Sequence, residues 1–370
     1  MVIRVRLGVR AALLDGDLVL GDVVIEDGRI VAVGVDPASG AGIAVPGFVD
    51  LQVNGFGGVD FLAAGVEDFR RARRVLARFG VTSFQPTLVS SPVAVIEGAL
   101  EVIANGSDGA GARVLGVHLE GPFLSVAFKG AHDERHLVPP DLALAGRLCA
   151  AGPVTYMTVA PELAGGLDLV GWLVARGITV ALGHTDADAA TAHAAYNLGA
   201  RTVTHLYNAQ RRFTARDPGV TGVALTRADV TVQVIADFVH LAPETVLGAY
   251  LAARGRFLVV TDAIAAAAST AGDYGLGDRT IHVDGTAARL HDGTLAGSIL
   301  TMDQALRNLV RLGVPLAAAV EALATVPATL VGRPELGTLR PGTPADIAVL
   351  DDTNHVMRTL VHGQEAFARG

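Results

Sequence analysis

Ile178-Thr179-Val180-Ala181-Leu182-Gly183-His184, a helical stretch over 187–198, then Arg201-Thr202-Val203-Thr204-His205 show how this chain is built. Each flank is a short, β-branched apolar run closed by a histidine, and a helix-length segment separates them. Strand, helix, strand in that order is a βαβ unit. Its strands lie parallel, so both histidines fall at the same, C-terminal edge of the sheet.

Outward from this passage the pattern repeats. Strand-like runs fall at 44–51, 81–85, 114–119, 154–159, 178–182, 201–204, 230–235 and 256–260. Helical patterns follow most of them, at 66–79, 141–150, 187–198, 243–253 and 302–312. Eight strands in this alternation predict an α/β chain built on a (β/α)8 TIM-like barrel, a unit of about 250 residues. The chain ends read differently. Val23-Val24-Ile25-Glu26, Asp27-Gly28, Arg29-Ile30-Val31-Ala32-Val33 is a hairpin with a positive-φ turn, and the run from Met1 to Arg6 alternates like a strand. Two more strand-like runs follow 345. Neither end is long enough for a stable sheet of its own. We therefore expect residues 1–45 and 336–370 to meet in one small β-sandwich domain beside a catalytic barrel of residues 46–335. Residues 272–297 read as a hairpin insertion with Asp284-Gly285 and Asp292-Gly293 turns.

Composition narrows the function. The 370 residues are 51% hydrophobic and 18% charged, the balance of a well-buried globular chain. A net charge of −8 argues against a nucleic-acid partner. No apolar run reaches the ~18 residues of a membrane span, and the start lacks a signal-peptide core, so no membrane partner and a cytoplasmic location are expected. The single cysteine, Cys149, excludes an intrachain disulfide and reads as a small buried hydrophobe.

Polar residues collect at the predicted strand ends: Asp50, Gln52 and Asn54 at the first, Glu120 at the third, Glu162 after the fourth, His184 and His205 at the fifth and sixth, Asp237 and His240 after the seventh, Asp262 at the eighth. That is the face where barrel enzymes carry their chemistry. Glu120, His184 and His205 together make one carboxylate and two imidazoles, a donor set that leaves a position open on a catalytic divalent metal. Asp262 suits a general base that takes a proton from water and returns it to a leaving amine, or equally a helix cap or buried ion-pair partner. His132 lies on a loop after the third strand, placed to polarise a carbonyl or simply to meet solvent. Arg211, Arg212 and Arg216 form a local basic cluster in an acidic chain, either a solvated loop or a contact for an anionic substrate group. Gly297-Ser298 opens the last barrel helix, where free N–H groups suit a ligand oxygen.

These stretches also carry a resemblance. Pro46-Gly47-Phe48-Val49-Asp50 through Asn54-Gly55, Val117-His118-Leu119-Glu120-Gly121-Pro122-Phe123, Lys129-Gly130-Ala131-His132, Ala160-Pro161-Glu162, Gly183-His184-Thr185, Thr204-His205-Leu206-Tyr207-Asn208-Ala209, Val260-Thr261-Asp262-Ala263 and Leu295-Ala296-Gly297-Ser298 stand in the order of the N-acetylglucosamine-6-phosphate deacetylases of the amidohydrolase superfamily. The chain resembles that family over nearly its full length. The resemblance implies metal ligation by Glu120, His184 and His205, with one divalent ion per subunit, zinc or iron, and Asp262 as acid/base beside His132. It implies sugar contacts from Ala131, His132, Asn208 and Ala209, and phosphate recognition by Arg216 and His240. Asp237, Phe238, Val239, Leu295, Ala296, Gly297 and Ser298 are further substrate-binding positions in the family. It also implies a homodimer whose neighbouring subunit completes the phosphate site. The expected substrate is a small amino-sugar phosphate, N-acetylglucosamine 6-phosphate, with N-acetylgalactosamine 6-phosphate or a catalytically silent sugar-phosphate binder as alternatives.

Two departures stand out. Many amidohydrolases carry His-x-His after the first strand and a modified lysine after the fourth, which hold a second metal. Here the first positions are Gln52-Val53-Asn54, and the only lysine is Lys129. Gln52 and Asn54 are expected to hydrogen-bond substrate or water instead. The segment Gln210-Arg211-Arg212-Phe213 also differs from the methionine- and proline-containing sequence usual in the family.

Overall fold

The computed structural model describes residues 4–369. Eight parallel strands follow one another around a ring: β1 (Phe48–Val53), β2 (Val81–Val89), β3 (Val117–Glu120), β4 (Val154–Val159), β5 (Thr179–Leu182), β6 (Thr202–Val203), β7 (Thr231–Val234) and β8 (Phe257–Val259). The gap from β8 back to β1 is spanned by backbone bonds. Asp262 N–H donates to Gln52 O at 2.9 Å and Asn54 N–H to Ala263 O at 2.7 Å, beside a parallel bridge from Val53 to Ala263. One long helix follows each strand: Val66–Ala77, Val93–Gly106, Leu142–Ala150, Gly166–Val174, Ala189–Asn197, Gly219–Thr226, Pro243–Ala252 and Met302–Arg311. This is the (β/α)8 alternation that the sequence predicts.

Helix starts have local causes. Asp141 accepts from the N–H groups of Ala143 and Leu144 (2.8 and 3.1 Å), and Asp188 from that of Thr191 (2.8 Å), each satisfying orphan donors of a first turn. Their inner faces (Ala145 and Leu148, then Ala192, Ala195 and Tyr196) are buried against the barrel.

Three predicted strands are corrected. The run 44–51 is two strands, because Ile43–Pro46 joins a sheet at the chain ends while Phe48 onward joins the barrel. Gly47 makes the junction: a Cβ there would sit 2.1 Å from the Thr82 side chain, so only glycine lets the chain pass. The run 114–119 breaks at Gly116, whose φ of +108° separates Arg113–Val114 from β3. The run 81–85 continues to Val89 despite Pro86, with a register irregularity against β1 between Phe84 and Pro86.

The ends do meet. A six-stranded sheet runs Gln364–Ala368, Val356–Val361, Ile347–Leu350, Ile43–Pro46, Ala11–Leu14, Asp17–Leu20, so its central pair joins the two ends antiparallel. Arg4–Arg6, Asp22–Glu26 and Arg29–Val35 form a three-stranded sheet, with Asp27 (φ +47°) and Gly28 (φ +76°) making the expected turn. A separate core including Leu7, Val23, Ile25, Ile347 and Leu360 lies among these strands. Of the strand expected over Met1 to Arg6, residues 1–3 lie, with residue 370, outside the described residues.

The insertion is a hairpin. Gly272–Leu276 pairs antiparallel with Arg279–Val283 about a Gly277-Asp278 tip, and Ala288–Arg289 adds a short third strand. Leu276, Ile281 and Val283 anchor it in the main core. Cys149 is half-buried against that core. No helix among the described residues is long and apolar enough to cross a membrane.

Candidate active site

Four strands deliver four side chains to the C-terminal mouth of the barrel. Glu120 is the last residue of β3, His184 and His205 lie two residues past β5 and β6, and Asp262 lies three past β8. His184, His205 and Asp262 hold positive φ (+47°, +28° and +49°), a cost that non-glycine residues bear where the surroundings over-determine the turn. All four side chains are nearly buried and line a cavity of about 360 Å³.

The donor geometry is tight. Glu120 Oε1 lies 3.2 Å from His184 Nε2 and 3.1 Å from His205 Nε2, and the two imidazole nitrogens are 3.1 Å apart. Ligand atoms ~2.0–2.2 Å from a tetrahedral ion are about 3.3 Å from one another, so this triangle fits one face of such a site. His184 Nδ1 lies 2.9 Å from Phe128 O, which places the ring proton there and leaves Nε2 a lone pair aimed at the triangle. Glu120, His184 and His205 can thus hold a divalent cation. Burial pushes the Glu120 carboxyl up, but the imidazoles of His132, His184 and His205 packed around it outweigh that and hold it well below the usual range.

Around the triangle the roles divide. Asp262 Oδ1 accepts from Gln52 Nε2 (3.1 Å) and Asn54 Nδ2 (2.7 Å), and Gln52 Nε2 also donates to Glu120 Oε1 at 3.0 Å. Burial and the charge of Glu120 push the Asp262 carboxyl up to about 6. His132 Nδ1 accepts from Ser90 N–H at 3.3 Å, so its proton sits on Nε2, 3.6 Å from Glu120 Oε2. Beneath, Asp50 accepts from the Thr261 hydroxyl at 2.6 Å, and burial raises its carboxyl to about 7.

The other positions expected from sequence separate into two groups. Asn54, Ala131, His132, Asn208, Ala209, His240, Leu295 and Gly297 line the cavity. Gln52, Phe238, Ala296 and Ser298 do not. Gln52 is fully buried and bridges two carboxylates, and Ser298 Oγ donates to Thr261 O at 2.5 Å. Asp237 turns to His240 Nδ1 (2.7 Å), while Val239 is exposed. Arg211 is tied to Asp217 and Asp186, and Arg212 and Arg216 lie exposed away from the cavity wall of this single chain.

Sequence reasoning missed the far wall. Asp133, Asp278 and Arg279 line the cavity as well, the last two from the insertion hairpin. Asp133, His136 and Asp278 form a second carboxylate–imidazole group, already spanned by the Arg135 guanidinium. The Asp-Arg pair at the hairpin tip was the available signal, but 147 residues separate Arg279 from its contact, His132 O.

A sequence profile described as "Amidohydrolase family" matches residues 43–368. The Bos taurus N-acetylglucosamine-6-phosphate deacetylase is 41% identical over 343 residues, covering 88% of this chain and 83% of that protein. The N-acetylgalactosamine-6-phosphate deacetylase of Escherichia coli O157:H7 is 34% identical, covering 92% and 93%. Among solved structures, a variant of the Mycobacterium smegmatis N-acetyl-D-glucosamine-6-phosphate deacetylase in complex with N-acetyl-D-glucosamine-6-phosphate superposes with a TM-score of 0.93 at 32% identity, over 99% of this chain and 100% of that one. With the carboxylate and imidazoles at its strand ends and kinship over most of its length, the chain belongs to the amidohydrolase family, in the group of the N-acetylglucosamine-6-phosphate deacetylases.

Proposed function

We propose that the chain hydrolyses the acetamide of N-acetylglucosamine 6-phosphate to acetate and glucosamine 6-phosphate, with one zinc or ferrous ion held by Glu120, His184 and His205. The observation that carries this reading is the donor triangle with a buried, proton-ready carboxylate, Asp262, beside it in one cavity. A divalent cation held there supplies positive charge that polarises the amide carbonyl and makes water more acidic. The chain's own residues do the rest. Gln52 and Asn54 occupy Asp262 Oδ1, which leaves Oδ2 to take the proton from attacking water and pass it to the leaving amine. The His132 Nε2 proton is available to the acetyl oxygen as charge develops on it. Gln52 and Asn54 donate where related enzymes carry imidazoles, which supports a single ion per chain.

Asn208, Ala209, Ala131 and Leu295 form the sugar-facing wall in this reading, and His240, oriented by Asp237, is one phosphate contact. Arg216, exposed and outside the cavity lining of its own chain, is the other, which fits a homodimer in which it serves the neighbouring site. Asp237, Phe238, Val239, Ala296 and Ser298 shape the two loops that bear these contacts. The barrel of residues 46–335 carries the chemistry, and residues 1–45 with 336–370 form its companion β domain. A phosphorylated sugar does not diffuse through a bilayer, which supports a cytoplasmic enzyme.

The galacto epimer is a second reading, favoured by the similarity to the Escherichia coli N-acetylgalactosamine-6-phosphate deacetylase. Acetate release by purified protein from the gluco and galacto sugars, each with and without 6-phosphate, tests both. Fastest turnover on the gluco phosphate is expected. Preference for the galacto phosphate would reassign the substrate, and no release from any of the four would remove the proposal.

A further inference from the structure

The 272–289 hairpin reaches from the β8 side of the barrel to the loop that carries His132, and its tip is held on both sides. On one side Gly277 N–H donates to Asp60 Oδ2 at 3.0 Å, and a Cβ at Gly277 (φ +57°) would meet Ser91 Oγ at 3.1 Å and Leu62 Cδ1 at 3.3 Å. The tip therefore lies flush against the barrel rim. On the other side Asp278 Oδ2 accepts from Arg135 Nη2 at 2.8 Å and lies 3.1 Å from His136 Nε2. Arg279 Nη2 donates to His132 O at 3.4 Å, and its Nε stands 3.7 Å from Asp133 Oδ2. Asp133 is in turn chelated by Arg135 (2.6 Å at the shorter contact) and accepts the Arg135 N–H, capping the short turn Glu134–His136.

Residues 132–136 are thus stitched to the hairpin at four polar groups, on His132, Asp133, Arg135 and His136, and the first of them is the backbone of His132. Between β3 and the helix at Leu142 this segment has no regular structure longer than three residues. The buried His132 ring meets the Ser90 N–H at 3.3 Å, Glu120 Oε2 at 3.6 Å and the His184 ring edge-on with centroids 4.5 Å apart. None of these ring contacts comes from the 126–136 segment itself, so the ring reaches them only where its backbone is held in place.

We propose that Asp278 and Arg279 are positioning residues: they clasp the 132–136 segment to the barrel rim and so hold His132 Nε2 over the reacting carbonyl. The inference rests on the reading of His132 given above. Individually exposed ion pairs contribute little to stability, but here several share one segment, and their effect is on placement rather than on folding. A displacement of about 1 Å of a catalytic group can cost about a hundredfold.

The test is a comparison of Asp278→Asn, Asp278→Ala/Arg279→Ala, Arg279→Lys and His132→Ala in the metal-loaded protein. Acetate release, metal content, melting temperature and amide hydrogen exchange of residues 126–136 would be measured on each. The double variant is expected to lose ten- to a hundredfold in kcat with KM, metal content and melting temperature near wild type, while exchange at 132–136 accelerates. Arg279→Lys, which keeps one donor, should recover part of kcat. Asp278→Asn, isosteric and safe for folding, should show a smaller change in the same direction. Unchanged kcat and exchange in the double variant would overturn the clasp, and so would a rise in KM alone, which would make Arg279 a substrate contact. If His132→Ala keeps full turnover, it is the reading of His132 that fails; if it is inactive while the double variant is fully active, the clasp alone fails.

Discussion

Asp262 takes its properties from its neighbours more than from its own chain. Two amides fix one of its oxygens, burial raises its carboxyl to about 6, and the other oxygen is left to exchange a proton. Asp262→Asn preserves the shape but removes the exchangeable site, so kcat should fall by about 10²–10⁴-fold while elemental analysis still finds one metal per chain. The base acts only when ionised, so activity should fall as pH drops through its pKa. A resident cation lowers that pKa, and the acid limb of the kcat/KM profile should lie at or below about pH 6. Arg216→Ala should raise KM for the phosphorylated sugar far more than for the unphosphorylated one, by roughly 30- to 150-fold for a contact of ~2–3 kcal/mol. Equal losses on both substrates would point to general damage. At this scale the sequence was informative where chemistry is written in residue type: Glu120, His184, His205 and Asp262 stand at strand ends and converge. Gln52 was harder to read. An amide shows nothing of whether it faces substrate or, as here, two carboxylates.

Elements were legible where the hydrophobic period was clean, and less so where glycine or proline intervened. The βαβ passage through His184 and His205 came out as read, and Asp141 and Asp188 cap their helices as their side chains allow. The run 44–51 looked continuous because nothing in an apolar pattern reveals that its halves pair with different sheets. Gly47 marks the point, and its reason is a contact with Thr82, which no local pattern contains. Gly47→Ala is accordingly expected to destabilise the protein by about 1–3 kcal/mol through overpacking. A lowered melting temperature with unchanged kcat in the folded fraction would show this, and an unchanged melting temperature would mean that Thr82 can move aside. The insertion hairpin was recognised by its turns, yet its part in the cavity wall depends on where the tip lands.

Across the chain the decisive contact is the pairing of Ile347–Leu350 with Ile43–Pro46 at the centre of the six-stranded sheet. That the ends would meet was readable from two lone groups of strands, but the sheet order was not, since register between distant segments leaves no local trace. A chain truncated after residue 345 would lose the three last strands and expose the apolar edge of Ile43–Pro46. It is expected to be recovered as aggregate rather than as an active barrel, and soluble, active truncated protein would contradict this. The same pairing has a consequence for synthesis. A ribosome delivers the chain from its first residue at about 5–20 residues per second, so Ile43–Pro46 waits roughly 15–60 s for a partner about 300 residues behind it. Throughout that interval the nascent chain carries an unpaired, β-branched edge that would accept a strand from any neighbour on the same message. The strands from Ile347 onward thus decide whether the earlier ones stay soluble, and holdase chaperones, which mask such edges, are expected to raise the yield of this protein.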